Sequence, residues 1–369
     1  MVNNAKYPGA TKKHLALISP LDWGLGHTTR CIPIIKELLE QNIEIVIACN
    51  SGQKQLLARD FPELEYIPLT GYNLKYGIHR SGTLSRLVLQ IPKILIAIKR
   101  ENLQLKRIIT RYKPDFIISD NRYGFFSSTI PSIFITHQLN IRSGFGATAD
   151  RFIRKITHVM IKRFTAVWVP DNQGIRSLAG ELSKLPGTRF LPIRYIGPIS
   201  RLQPCRSFTS GGYILAVLSG PEPQRSILEA ILVPQLHALN RPAVLVRGTS
   251  NQTRAATPGK NLRVVDLAGT AELNDLMCGA ALVVCRPGYT SVMDLVKLEK
   301  KAIFIPTPGQ GEQEYLAAFL GNAKKAVIAE QESLNLAEAI SKTSSVTVAS
   351  ANMELYKEAI HDLVHSLNN

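Results

Sequence analysis

A histidine preceded by two glycines follows the first apolar run of the chain. Residues 22–30 read DWGLGHTTR, directly after HLALISP at 14–20. Gly24 and Gly26 permit a close approach of the backbone to a ligand, and a helix that starts here would direct free N–H groups at an anion. The third glycine of the dinucleotide fingerprint is missing. We therefore predict a ligand loop in which His27 is either a general base or a polar helix cap.

A second group of functional side chains follows the apolar run that ends at Arg286. In CRPGYTSVMD, a turn at Gly288 precedes Thr290 and Ser291, whose hydroxyls and helix N–H groups suit a diphosphate. Asp294 lies one helical turn after Thr290 on the same face. Its carboxylate could accept both hydroxyls of a ribose; the alternative is an acid that interacts with the helix dipole.

A third loop reads PTPGQGEQEYLAAFL at 306–320 and opens another predicted helix. It places Gln313 and Glu314 beside the same cleft. Amide and carboxylate side chains of this kind bind hydroxyl-rich ligands, although a solvated first helical turn has the same composition.

The elements that position these loops alternate along the chain. Short β-branched runs separated by helical stretches are typical of parallel sheets with crossover helices. The series restarts after PISRLQPCRSFTSGG at 198–212, a predicted linker. The sequence thus predicts an α/β protein with two doubly wound domains. The predicted strands are 15–19, 43–48, 64–69, 115–119, 132–136, 166–170, 213–218, 243–247, 262–267, 281–285, 301–306 and 325–329.

Length and composition agree with two globular domains. The 369 residues exceed the usual size of a single core, and no run of 18 apolar residues predicts a transmembrane helix. The opening residues lack the apolar segment of a signal peptide. The cysteine count is odd and contains no CxxC pair, so we expect reduced thiols in a cytoplasmic protein.

The net charge of +16 is concentrated in the first part of the chain. Residues 1–200 carry 28 basic and 13 acidic side chains, whereas residues 201–369 carry 16 and 15. A basic domain attracts phosphorylated ligands, anionic membranes or nucleic acid. No nucleic-acid-binding motif is evident, and nucleic acid is not an expected partner. The basic and apolar stretch 84–113 is either a crossover helix with a solvated face or a surface that docks on anionic lipid.

The motifs resemble those of the MurG-type glycosyltransferases, family 28 of the GT-B fold. CRPG-YTSVMD followed by QEY is similar to the family's nucleotide-sugar signature, and the resemblance covers roughly residues 14–345. Five other stretches match in order: GLGH, RYKPDFIIS, THQLN, YIGPIS and LSGPEPQR.

The resemblance implies a GT-B fold and a domain plan. Residues 1–200 would form the acceptor domain and 201–345 the donor domain, with 346–369 a C-terminal helix that packs back on the first domain. The resemblance also implies transfer of a hexosyl or N-acetylhexosaminyl group from a nucleotide sugar to a glycan or lipid-linked acceptor. The expected nucleotide is UDP. The transfer is expected to invert the configuration at the sugar and to need no metal or other cofactor. The resemblance also implies a role in cell-envelope glycan synthesis, at the inner face of the cytoplasmic membrane. The implied donor-binding residues are Gly26, Arg201, Ser219, Gly220, Arg286, Gly288, Thr290, Ser291, Asp294, Gln313 and Glu314.

Departures from the family pattern leave the sugar, the acceptor and the base open. The second glycine loop reads SGPEP, and Gln138 and Glu314 replace an acid and a glutamine of the family. His27 is the first choice for the base, with His137 and Asp120 as alternatives. A sugar-nucleotide hydrolase or epimerase of the same fold, or a non-catalytic binding subunit, remains an alternative function.

Overall fold

The computed structural model describes residues 13–22, 25–69, 91–142, 146–185, 192–205, 212–249 and 259–368. Gly24, residues 84–90 of the basic stretch and residues 206–211 of the predicted linker lie outside these ranges. The described residues form two parallel sheets with helices between most successive strands.

The first sheet contains seven parallel strands. They span Leu15–Pro20 (β1), Glu44–Cys49 (β2), Glu65–Pro68 (β3), Phe116–Asp120 (β4), Ser132–Ile135 (β5), Ala166–Val169 (β6) and Ile193–Tyr195 (β7). Their order is β3-β2-β1-β4-β5-β6-β7. The central strands are buried along nearly their whole length, as expected for a sheet covered by helices on both faces.

The second sheet contains six parallel strands. They span Tyr213–Val217 (β8), Ala243–Val246 (β9), Leu262–Val265 (β10), Ala280–Cys285 (β11), Ala302–Phe304 (β12) and Val327–Ile328 (β13). Their order is β10-β9-β8-β11-β12-β13. The predicted α/β fold with two doubly wound sheets is confirmed, and each predicted strand is present. Strand β7 is an addition that its short apolar run did not indicate.

The helices connect most of the successive strands. In chain order the α-helices of the described residues are Leu25–Glu40 (α1), Ser51–Leu57 (α2), Ile91–Tyr112 (α3), Ala147–Ile161 (α4), Gln224–Ala238 (α5), Thr270–Gly279 (α6), Tyr289–Lys297 (α7), Gly311–Asn322 (α8), Leu336–Ser341 (α9) and Leu355–Asn368 (α10). None of these helices combines the length and apolar character needed to span a bilayer.

The last helix returns to the first sheet. Ala359 and Ile360 of α10 are buried in the same apolar cluster as residues of α1, and Asp362 pairs with Arg194 of β7 at 2.8 Å. We therefore call β1–β7, α1–α4 and α10 the N-terminal unit, and β8–β13 with α5–α9 the C-terminal unit.

The strand order of each sheet reverses beside its first strand. Strand β1 lies between β2 and β4, and β8 lies between β9 and β11. In doubly wound sheets, ligands bind in the crevice outside the carboxyl ends of such strands. Pro20 pairs with Asp120 and Val217 pairs with Cys285 at these ends. The loops predicted to carry the chemistry therefore leave the sheets at their two crevices.

One expectation about the cysteines is wrong. Cys205 and Cys278 form a disulfide with Cα atoms 5.4 Å apart, whereas Cys31, Cys49 and Cys285 are buried free thiols. The bonded pair is separated by 73 residues. The sequence could not indicate it, because only the fold brings the segment after the first sheet against the end of α6.

Candidate active site

His27 lies at the start of α1, above the carboxyl end of β4. Its Nδ1 is 2.6 Å from Oδ1 of Asp120, the last residue of that strand. Asp120 is fully buried, while the His27 side chain keeps 16% of its surface exposed. Pro20 is the register partner of Asp120, so β1 ends beside the residue that binds His27.

The contacts of Nδ1 favour one tautomer of His27. Burial by itself raises the pKa of Asp120, but the adjacent Arg30 and His27 lower it to about 2. The ionised carboxylate only accepts hydrogen bonds, whereas Arg30 Nη2, 2.9 Å from the same Nδ1, only donates. The shorter contact, 2.6 Å to Asp120, favours a proton on Nδ1. The Nε2 lone pair is then available, and this nitrogen makes no hydrogen bond to any described residue. The geometry is that of a base oriented by a carboxylate.

Arg30 holds the Asp120 carboxylate in its ionised form. Its Nε donates to Asp120 Oδ2 at 2.5 Å and its Nη2 donates to Oδ1. Burial, followed by the charge of Arg30, lowers the pKa of His27 below its ordinary value of 6.5, and Asp120 only partly opposes this shift. His27 is therefore neutral at pH 7, the form that a general base requires.

His137 lies on the other side of Arg30. Its Nδ1 is 3.4 Å from Arg30 Nη1, and its Nε2 is 2.9 Å from Oε1 of Glu312 in the first turn of α8. The ring also stacks on Tyr289, with centroids 4.2 Å apart. Since both ring nitrogens have protein partners, His137 is less suited than His27 to take a substrate proton. Asp120 is equally unsuited, because it is buried and multiply bonded.

The C-terminal unit presents the start of α7 to His27. Thr290 and Ser291 lie in the first turn of this helix, after the N-cap Gly288. Gly26 packs against Thr290 so closely that a Cβ at residue 26 would lie 2.7 Å from the Thr290 hydroxyl oxygen. Glycine at this position therefore allows the predicted base and the predicted diphosphate site to lie side by side.

Asp294 lies deeper in the same helix, facing the segment that joins the two units. Its Oδ1 accepts a hydrogen bond from the Ser200 hydroxyl at 2.5 Å. Burial raises the pKa of Asp294 to about 6, while Ser200 and the nearby Arg201 oppose the shift. Arg201 thus lies beside Asp294, on the side of α7 where a ribose contact was predicted.

The raised pKa of Asp294 makes a pH-dependent contribution to stability. A pKa raised from 3.8 to about 6 means that stability is lost as the pH rises through this window, by up to about 3 kcal/mol. We expect Asp294→Asn to unfold at higher urea concentration than the wild type at pH 7.5, with the difference vanishing near pH 4. An equal difference at both pH values would show that the Asp294 carboxyl does not titrate in this range.

Arg286 does not face the cleft, contrary to the predicted donor contact. It is 1% exposed, and its Nη1 donates to the carbonyls of Ile305 and Pro306 at 2.9 and 3.0 Å. Its Nη2 donates to the carbonyl of Gln224 and to Gln331. Arg286 thus joins the loops at the strand ends, because their carbonyls converge on a buried guanidinium.

The remaining predicted donor residues line or support the loops of the C-terminal unit. Gln313 accepts a hydrogen bond from the Thr307 amide, and Glu314 accepts one from the Gly309 amide, both at 2.8 Å. These two side chains shape the loop before α8. Ser219 and Gly220 lie exposed in the loop after β8.

Three contributors to the site were not predicted. Arg30 stands one turn after His27 in the quoted GLGHTTR loop, and this helical spacing was the available signal. Glu312 directly precedes Gln313, but nothing in its own sequence context indicates a partner 175 residues away. Ser200 closes the YIGPIS stretch, and nothing in that stretch singles out its hydroxyl.

Comparison with known proteins identifies the type of enzyme. The profile of the glycosyltransferase family 28 C-terminal domain matches residues 217–365. The chain is 24% identical over 316 residues to a UDP-N-acetylglucosamine--N-acetylmuramyl-(pentapeptide) pyrophosphoryl-undecaprenol N-acetylglucosamine transferase of Haemophilus ducreyi, covering 83% of this chain and 82% of the relative. This protein is a glycosyltransferase whose C-terminal part is similar to that of family 28. The transferase is also 23% identical to an uncharacterised glycosyltransferase of Methanosarcina acetivorans, with 80% of each chain covered.

Solved structures agree with this assignment at the level of the fold. The transferase matches the glycosyltransferase of kitacinnamycin with a TM-score of 0.63 at 14% identity, over 97% of this chain and 95% of that one. It matches MurG of Acinetobacter baumannii with a TM-score of 0.55 at 16% identity, over 96% and 99%. The predicted GT-B fold is confirmed.

Proposed function

We propose that the transferase moves a hexosyl or N-acetylhexosaminyl group from a UDP-linked sugar to an acceptor hydroxyl, with inversion and without a metal. The observation that carries the proposal is the contact between the His27 loop and the start of α7. A base oriented by a carboxylate lies there beside a helix N-terminus of the kind that binds phosphates.

The proposed reaction follows from these positions. His27 Nε2 takes the proton of the acceptor hydroxyl as its oxygen attacks the anomeric carbon of the sugar. The bond from that carbon to the diphosphate breaks, and its electron pair leaves with UDP. The N–H groups and the hydroxyls of Thr290 and Ser291 stabilise the charge that develops on the leaving group, with Arg201 adding positive charge nearby.

The donor proposal is tested by ligand-induced stabilisation. A ligand bound only by the native state raises the melting temperature. Thermal shift with a panel of UDP-, GDP- and dTDP-sugars therefore identifies the nucleotide of the donor. We expect UDP and its sugars to raise the melting temperature, and Asp294→Ala to reduce the effect. No shift with any of these nucleotides at millimolar concentration would overturn the proposed donor class.

We further propose that the acceptor is lipid-linked and reached from an anionic membrane surface. The Haemophilus relative is named for a pyrophosphoryl-undecaprenol acceptor. In the transferase, a groove of about 630 Å³ runs between α3 and α4. It is lined by Leu95, Ile98, Lys99, Asn102, Leu103, Lys106, Phe126, Lys155, Ile156, Val159, Met160 and Arg163.

The composition and position of this α3–α4 groove favour lipid contact. Leu95, Leu103 and Val159 are each at least half exposed, and four basic side chains flank the groove. Apolar surface rimmed by basic residues suits an anionic interface. At its floor, Ile98 packs with Leu21, which directly follows β1. The groove therefore lies behind the loop that carries His27.

Charge reversal in the α3–α4 groove tests this surface. Each basic residue near an anionic bilayer contributes about 1 kcal/mol, so removing two should weaken vesicle binding roughly 30-fold. We expect at least this loss for Lys99→Glu with Lys155→Glu in co-sedimentation with phosphatidylglycerol vesicles, because each substitution also adds a negative charge. The matched control reverses Lys36 and Lys260, which are exposed elsewhere. Equal binding by both double variants would overturn the proposed surface.

A further inference from the structure

A chain of hydrogen bonds crosses from the C-terminal unit to the His27 base. It begins at Glu312, passes through His137 and Arg30 to Asp120, and ends at His27. Arg30 only donates hydrogen bonds, so His137 Nδ1 must accept and His137 Nε2–H must donate to Glu312. Each of these four contacts then pairs one donor with one acceptor. Arg30 Nη2 also lies 2.9 Å from His27 Nδ1, but the shorter contact to Asp120 favours the Nδ1–H tautomer. In that tautomer the lone pair of His27 Nε2 is directed away from Asp120.

Glu312 is the one member of this chain that the C-terminal unit supplies. Its Oε1 accepts from His137, and its Oε2 accepts from the amide of Gln138 at 2.5 Å. Burial by itself raises the pKa of Glu312, but His137, His27 and Arg30 lower it below its ordinary value. The carboxylate is therefore ionised and held at both oxygens by the loop that follows β5.

We propose that Glu312 is a positioning residue that makes alignment of the His27 base depend on closure of the two units. The inference rests on the proposed function of His27. When the units separate, His137 loses the acceptor for its Nε2 proton, and its ring is then held only from the Arg30 side. Arg30 in turn loses a fixed partner beside Asp120. The acceptor is therefore deprotonated efficiently only when the donor-carrying unit is in place.

Replacing Glu312 in the full-length protein tests this coupling. Loss of a hydrogen bond to a charged group costs about 1.5–3 kcal/mol, which corresponds to roughly a 10- to 100-fold fall in kcat. We expect this fall for Glu312→Ala, with donor affinity by calorimetry changed by less than about threefold. Glu312→Gln should recover most of the rate, because its amide oxygen still accepts from His137.

Glu338→Gln is the matched control. It removes a charge from the first turn of another helix of the C-terminal unit, α9, where the carboxylate pairs with Lys342 at the surface. We expect a kcat close to that of the wild type. A fall equal to that of Glu312→Ala would attribute the effect to loss of negative charge from the C-terminal unit and would overturn the proposal.

A double-mutant cycle with His137→Ala separates positioning from a local structural effect. If Glu312 acts through His137, the double variant should be no slower than His137→Ala alone. Fully additive losses of kcat would overturn the proposed chain.

A measurement independent of turnover distinguishes this proposal from that for His27. With ¹⁵N-labelled histidine, NMR should show the Nδ1–H tautomer of His27 in the wild type and a mixture in Glu312→Ala. An unchanged His27 tautomer in Glu312→Ala would overturn the coupling even if His27 is the base. Wild-type turnover in His27→Ala together with the expected tautomer change would instead overturn the proposed base and leave the coupling intact.

Discussion

Replacing His27 with alanine is expected to lower kcat by about 10²- to 10⁴-fold, the usual contribution of a general base. The effect should fall on kcat, because the variant removes the Nε2 lone pair that is proposed to take the proton of the acceptor hydroxyl. Donor affinity should change little, since the predicted diphosphate and ribose contacts lie on α7 in the C-terminal unit. Steady-state kinetics and calorimetric titration of the same preparation give both quantities.

Two further experiments test the role of His27. His27→Asn keeps a polar side chain without basicity, and we expect it to be nearly as slow as the alanine variant. The pH–rate profile of the residual activity should lose its limb on the acidic side. A parallel loss of donor affinity and kcat would make His27 a binding residue. Turnover at the wild-type rate in His27→Ala would exclude it as the base.

Asp120→Asn is expected to affect both stability and turnover. The variant leaves the buried Arg30 guanidinium without its carboxylate partner, and breaking a buried pair costs about 3–5 kcal/mol. An amide can also donate to His27 Nδ1, which favours the unproductive tautomer and should lower kcat by about 10³-fold or more. Urea denaturation and kinetics at a temperature where the variant is folded measure the two effects.

The control for Asp120 is an ion pair at the surface. Asp362 pairs with Arg194, but both side chains are substantially exposed, and such pairs contribute about 0–1 kcal/mol. We expect Asp362→Asn to be close to the wild type in both measurements. If Asp120→Asn lost no more stability than Asp362→Asn, the buried Arg30–Asp120 pair would not contribute the expected amount of about 3–5 kcal/mol.

The sequence was sufficient for the fold because its signals are local. Runs such as LALIS and ALVVC are almost continuously apolar, as is typical of buried parallel strands. The last strand of the first sheet, Ile193–Tyr195, has only three residues and too short an apolar run to be recognised. Element positions could therefore be predicted wherever burial was continuous over several residues.

The candidate site was predictable as a set of residues but not as an arrangement. His27, His137 and Asp120 were proposed as alternative bases, whereas the structure brings them into one hydrogen-bonded network through Arg30. Sequence spacing cannot show this, because 90 residues separate Arg30 from Asp120.

The donor side shows the same limit. Arg286 has the residue type and position of an anion-binding side chain, yet its guanidinium is directed into the unit by carbonyls of neighbouring loops. The direction of a side chain after a strand depends on which backbone groups surround it. Those groups come from segments that are distant in sequence, so residue type alone could not decide between a ligand contact and a structural one.

The most direct test of sugar transfer is a product analysis with isotopically labelled donor. The full-length protein is incubated with ¹³C-labelled UDP-N-acetylglucosamine or UDP-glucose and a total lipid extract of the cells that produce it, and products are measured by mass spectrometry. We predict that the labelled sugar appears in an extractable lipid-linked product, with one UDP released per sugar transferred, and that His27→Ala forms this product far more slowly. Release of UDP accompanied only by free labelled sugar would show hydrolysis and would contradict the proposed transfer.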